Sequence, residues 1–209
     1  FIAILAIPLT LPSAAAGGGN ALSLTILALG IIVLFIYLGG VFPAAYSIVA
    51  YKTVDWRAFL SNVRSHLRAT VSLGTITIAH IVLLSIGIPV YSAFGNFIGV
   101  LAVAFLFWMS VIWLLCVQYF LPIRDQLDHR VGKIIKKSVL LGFDNTLFTI
   151  GVAIGAVFIM TVSVFTAFLF PGITGLAIWY QSALKLRLYK YDYLEEHPDS
   201  NRRAIPWDT

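Results

Sequence analysis

The chain has 209 residues, of which 60% are hydrophobic and 11% charged, with a mean hydropathy of +0.94. A soluble globular domain carries roughly a quarter charged residues, so composition excludes that class. The net charge of +5 and pI near 9.4 would suit nucleic acid, but all 14 Lys/Arg and 9 Asp/Glu lie outside residues 1–51, 69–123 and 145–184. Hydrocarbon excludes ions, so this spacing describes a chain that crosses a bilayer repeatedly, with basic residues beside the spans and no nucleic-acid partner.

Residues 1–11 are almost wholly apolar but too short for a hydrocarbon core of about 30 Å at about 1.5 Å per residue. No basic segment precedes them, so they are expected to be the far end of a span rather than a signal sequence. Pro12, Gly17, Gly18, Gly19 and Asn20 then punctuate the chain. Residues 21–38 supply the first complete span, interrupted by Gly39, Gly40 and Pro43 and therefore expected to kink before Tyr51.

Residues 53–68 form an amphipathic stretch. Trp56, Phe59, Leu60, Val63 and Leu67 recur at helical spacing, with Arg57, Ser61, Arg64 and Arg68 on another face. The pattern predicts a helix lying in the headgroup layer on the cytoplasmic side. Its arginines would meet anionic lipid, enforce topology, or dock a partner. Further spans are predicted over 70–88 and 97–119, with a turn at 89–96 set by Pro89, Ser92, Gly95 and Asn96. A charged cluster from Arg124 to Lys137 follows, then a span over 146–168, a turn at Pro171 and Gly172, and a last span toward Leu188 whose Lys185 and Arg187 are expected to snorkel.

The expected fold is therefore all-α: a polytopic transmembrane helix bundle of five full spans plus a partial N-terminal one, six in total, with an amphipathic cytoplasmic helix. Residues 1–194 make one membrane domain and 195–209 a polar cytoplasmic tail. Basic clusters at Lys52 to Arg68, at Arg124 to Lys137 and at the C-terminus all fall on the cytoplasmic side, which places the chain in a cell (inner) membrane with its C-terminus inside.

His80 falls near the centre of the second complete span. At that depth an imidazole either bonds a neighbouring hydroxyl or serves a ligand or proton path, and no Asp, Glu or second His accompanies it there to complete a relay or metal site. Asp144 and Asn145 precede a span start, where a short side-chain oxygen caps free N–H groups or contacts a cation or substrate at a cytoplasmic mouth. Gly151 and Gly155 form a small-xxx-small face. Gln118 and Gln181 suit hydrogen bonds between helices. Cys116 is the one cysteine, so neither an internal disulfide nor a thiolate metal cluster is expected. The chain contains no nucleophile with its base, phosphate loop or metalloprotease motif, so no catalytic residue, metal or cofactor is assigned.

The order of short elements resembles the YesL-like family of bacterial integral membrane proteins. Its carriers are Ile7 and Pro8; Gly40, Pro43, Ala44, Ala45 and Tyr46; Trp56, Arg57, Ala58 and Phe59; Leu121 and Pro122 before Lys133 to Lys137; and Pro171 with Gly172. About 30 residues separate the first proline element from the glycine-proline element, where the family runs on directly. The resemblance implies a non-catalytic accessory membrane protein associated with a carbohydrate-uptake system, whose partners are lipids and membrane subunits. A structural subunit of a larger complex and a small channel or transporter are the alternatives.

Overall fold

A computed structural model describes residues 20–166 and 170–197, and among these every regular element is a helix. The helices are α1 (Asn20–Val49), α2 (Trp56–Ser92), α3 (Phe97–Val117), α4 (Phe120–Gln126), α5 (Val131–Asp144), α6 (Thr146–Phe165) and α7 (Gly172–Glu196). Four helical runs are long and apolar enough to cross a membrane: Ala28–Val49, Trp56–Ser92, Phe97–Gln126 and Thr146–Phe165. The expected partial N-terminal span, the Gly-rich loop after it and the tail beyond His197 lie outside the described residues.

Helix α1 runs unbroken through Gly39, Gly40 and Pro43. These glycines let α2 come close. A Cβ at Gly40 would stand 2.5 Å from the Phe59 ring and 2.6 Å from Val63, and one at Gly39 would stand 3.1 Å from the Thr70 hydroxyl. Phe59 and Val63 thereby extend the α1–α2 seam into the segment expected to lie separately on the membrane. From Trp56 onward that segment is instead continuous with the 37-residue helix α2, about 55 Å long at about 1.5 Å per residue and so far longer than a hydrocarbon core.

The turn after α2 is also tighter than the sequence predicts. Pro89 stays inside the helix, which continues to Ser92. The turn then closes at Asn96, whose side chain accepts from the Gly99 N–H at 2.9 Å and caps α3. Helix α5 occupies a stretch that the sequence marks only as a charged cluster. It buries Ile134, Ser138, Leu141 and Gly142 on one side and exposes Leu140 and Phe143 beside Lys133 and Lys136. Helix α7 starts at Gly172, where φ is +60°, a conformation that favours glycine. The Gly172 N–H donates to Ser163 Oγ at 3.1 Å, tying α7 to α6.

Helices α1, α2, α3, α6 and α7 surround a central space, with α1 packed on both α2 and α7, and α6 packed on α7. The short helix α4 lies beneath that space. Its Phe120, Leu121, Pro122, Ile123 and Arg124 are all buried, which makes it the floor of the bundle at the charged end.

Candidate functional site

The floor carries a buried polar network. Arg124 is fully enclosed, and its guanidinium donates to Asp125 Oδ1 (2.7 Å from Nε, 2.5 Å from Nη2), to Thr70 Oγ1 at 2.6 Å and to the Gly39 carbonyl at 3.4 Å. The other Asp125 oxygen accepts from Gln181 Nε2 at 2.8 Å, and the same amide donates to the Phe42 carbonyl at 3.0 Å. Gln126 Nε2 donates to Gln181 Oε1 at 2.5 Å. Helices α1, α2, α4 and α7 are thus held together through one guanidinium–carboxylate pair. The carboxylate compensates the buried cation, and the remaining donors find oxygen partners.

A second cluster joins α5, α6 and α7. Arg187, expected to reach outward, is buried, with its guanidinium 5.3 Å from the Phe148 ring centre and 3.1 Å from Asp144 Oδ2. The Tyr191 hydroxyl also donates to Asp144 Oδ2. The reason is spacing: Arg187 lies on the α7 face that carries Tyr180, Ala183 and Leu184 into the core. Lys185, on another face, donates to the Val49 carbonyl at 3.0 Å and closes the end of α1. Asp144 therefore pairs with Arg187, while Asn145 caps α6 by accepting from the Phe148 N–H at 3.2 Å. Burial, followed by the hydrogen bond to Asp144, pushes the Tyr191 phenol up to about 12.

Above the floor the helices enclose a cavity of about 190 Å³, lined by residues of α1, α2, α3, α4, α6 and α7. His80 belongs to it. The imidazole stacks on Trp113 (centroids 5.1 Å apart, planes at 25°), and Tyr180 stacks on Phe42 across the same space (6.5 Å, 17°). Two other polar residues of the lining are engaged elsewhere. Thr77 donates to the Leu73 carbonyl at 3.0 Å, and Gln118 donates to the Thr149 carbonyl at 3.2 Å. The lining is otherwise apolar and carries no Asp, Glu, Lys or Arg.

The structure does not bring the sequence-derived candidates together. Trp56, Arg57, Arg64 and Arg68 are exposed along the outer turns of α2, His80 is in the cavity, and Asp144 and Asn145 stand at the α5–α6 junction. Among the described residues no cluster of three or more His, Cys, Asp or Glu has metal-binding geometry. In sequence, Arg124 and Asp125 are only the start of the charged cluster that sets topology. Their position, beginning two residues after Pro122 at the very end of a long apolar run, is the one signal that could have marked them as buried. No family model matches the chain, and neither a curated protein nor a solved structure is significantly similar to it.

Proposed function

We propose that the chain is a non-catalytic accessory protein of a bacterial cell membrane, with the part of α7 up to Leu188 as its fifth complete span, residues 1–11 as part of a sixth, and its C-terminus in the cytoplasm. On this reading it is a YesL-like protein that serves a carbohydrate-uptake system by binding a membrane subunit. The observation that carries the proposal is the use of the Arg124–Asp125–Gln181 network. Its charged groups bond one another and the backbones of neighbouring helices, which suits a rigid scaffold closed at one end better than a conduit. Helix α3 supports it as well: only Gly99, Ser110 and Cys116 of its 21 residues are buried. Phe105, Trp108, Met109 and Ile112 are left as an apolar surface for lipid and a partner.

Purification from the native membrane in mild detergent, followed by mass spectrometry, tests the proposal. Stoichiometric membrane subunits are expected, and fewer of them when Arg57, Arg64 and Arg68 are all changed to Glu. Recovery of the protein with lipid alone would overturn it.

A further inference from the structure

The central cavity is shaped for a ligand of narrow chemistry. Its volume of about 190 Å³ exceeds the roughly 150 Å³ at which a dry apolar cavity accepts a benzene-sized molecule. A buried water requires 2–4 polar partners, and with the Thr77 hydroxyl and Gln118 amide bonded to backbone carbonyls the few polar groups left can hold water at one end only, leaving the apolar remainder of the lining unfilled. A charged occupant is equally poor. No ionic side chain lines the space, and Arg124 beneath it is held by Asp125, Thr70 and Gly39, so a carboxylate or phosphate would be stranded without a counter-charge.

Three lining residues with donor groups remain. His80, Trp113 and Tyr180 line the cavity through their rings, and none of them hydrogen-bonds another described residue. His80 and Tyr180 are the two candidate anchors for an oxygen. An imidazole N–H and a phenol O–H can each donate to a neutral oxygen. On the lining, Leu34 of α1 is 36% exposed and Met160 of α6 is half-buried, so the lining reaches the apolar outer surface of the bundle, which in a membrane meets hydrocarbon. We infer that the cavity binds a neutral lipid, whose hydrocarbon part fills the space against Phe35, Trp113 and Leu176 and whose single oxygen function is held by His80 and Tyr180. The inference depends on the membrane setting and not on the accessory role. Failure to find a partner subunit would leave it intact.

The test uses the whole protein in phosphatidylcholine nanodiscs with a diazirine-bearing hexadecanol, and in parallel a diazirine-bearing palmitate and a phosphatidylcholine with a diazirine acyl chain. The alcohol is expected to cross-link to peptides containing His80 and Trp113 in preference to the other two probes. His80→Leu and Tyr180→Phe should each reduce that labelling about fivefold, the worth of one net hydrogen bond. Leu114→Trp, which fills the space, should abolish it. Protection of Cys116 from maleimide verifies that each variant remains folded, since this thiol is buried. Equal labelling by all three probes, labelling confined to outward residues such as Val100 and Trp108, or occupation of the cavity by residues 1–19 of the chain would each overturn the inference.

Discussion

Gln181 on α7 donates to Asp125 on α4 at 2.8 Å, across 56 residues of chain, and the other oxygen of that carboxylate holds Arg124. The last helix is therefore attached to the floor through an acid whose own stability depends on the guanidinium beside it. The Asp125 side chain is only 1% exposed, so removing Arg124 leaves a buried carboxylate uncompensated. Arg124→Met is expected to cost about 3–5 kcal/mol. Adding Asp125→Leu should recover much of that loss, because an apolar pair leaves no stranded charge. The rate of maleimide modification of Cys116, buried at 3% exposure, reports unfolding directly in detergent. A double variant as unstable as the sum of its parts would exclude this coupling.

Arg187 provides the contrast. It is buried like Arg124, but its Nε and Nη1 have no hydrogen-bond partner among the described residues, and its carboxylate, Asp144, is 43% exposed. Water can solvate Asp144 once the guanidinium is gone. Arg187→Met should therefore cost about 1–2 kcal/mol, well below Arg124→Met, since exposed partners return little to an ion pair. Thermal unfolding of the two variants side by side decides it, and equal losses would contradict the argument from exposure.

The helical fold was legible because ions and hydrocarbon exclude each other. Residues 1–51, 69–123 and 145–184 carry no charge, and the four long apolar helices each lie wholly or for the most part within one of these stretches. Element ends were less legible, since Pro89 and Pro43 are breakers in isolation yet both are carried inside helices here. Residues 53–68 have the amphipathic pattern of a surface helix, but Phe59 and Val63 meet Gly40 rather than lipid, a tertiary contact that periodicity does not encode. The polar floor was the least legible part. Thr70, Arg124 and Gln181 are far apart in sequence and meet only after α4 turns beneath the bundle. His80 was singled out from its depth alone, and its stacking partner Trp113 and the shared cavity with Tyr180 became apparent only with packing.

The two glycines of the small-xxx-small face are not equivalent. A Cβ at Gly155 would collide with the Trp179 indole, which is fixed by its own hydrogen bond to the Val152 carbonyl at 3.0 Å. A Cβ at Gly151 would have nothing within 4 Å. Gly155→Leu is expected to destabilise by about 1–3 kcal/mol through overpacking, while Gly151→Leu should stay within about 0.5 kcal/mol. Trp179 fluorescence in the two variants gives a second reading, because only the first must displace the indole. Equal effects would mean that Gly151 also faces a packed neighbour.

The Tyr191–Asp144 contact predicts an alkaline dependence. Burial and the bond to Asp144 raise the phenol from 10.0 to about 12, so the folded state holds a proton that the unfolded state releases first. The contribution to stability is complete below about pH 10 and is lost as pH rises through about 12. Partial exposure of Tyr191 reduces its size through solvent screening. Unfolding temperatures measured from pH 9 to 12 should therefore fall more steeply for the wild-type protein than for Tyr191→Phe, which has no phenolic proton to lose. Asp144→Asn should flatten the curve in the same direction, because the amide no longer opposes ionisation of the phenol. Superimposable curves for wild type and Tyr191→Phe would show that the contact carries no linked proton.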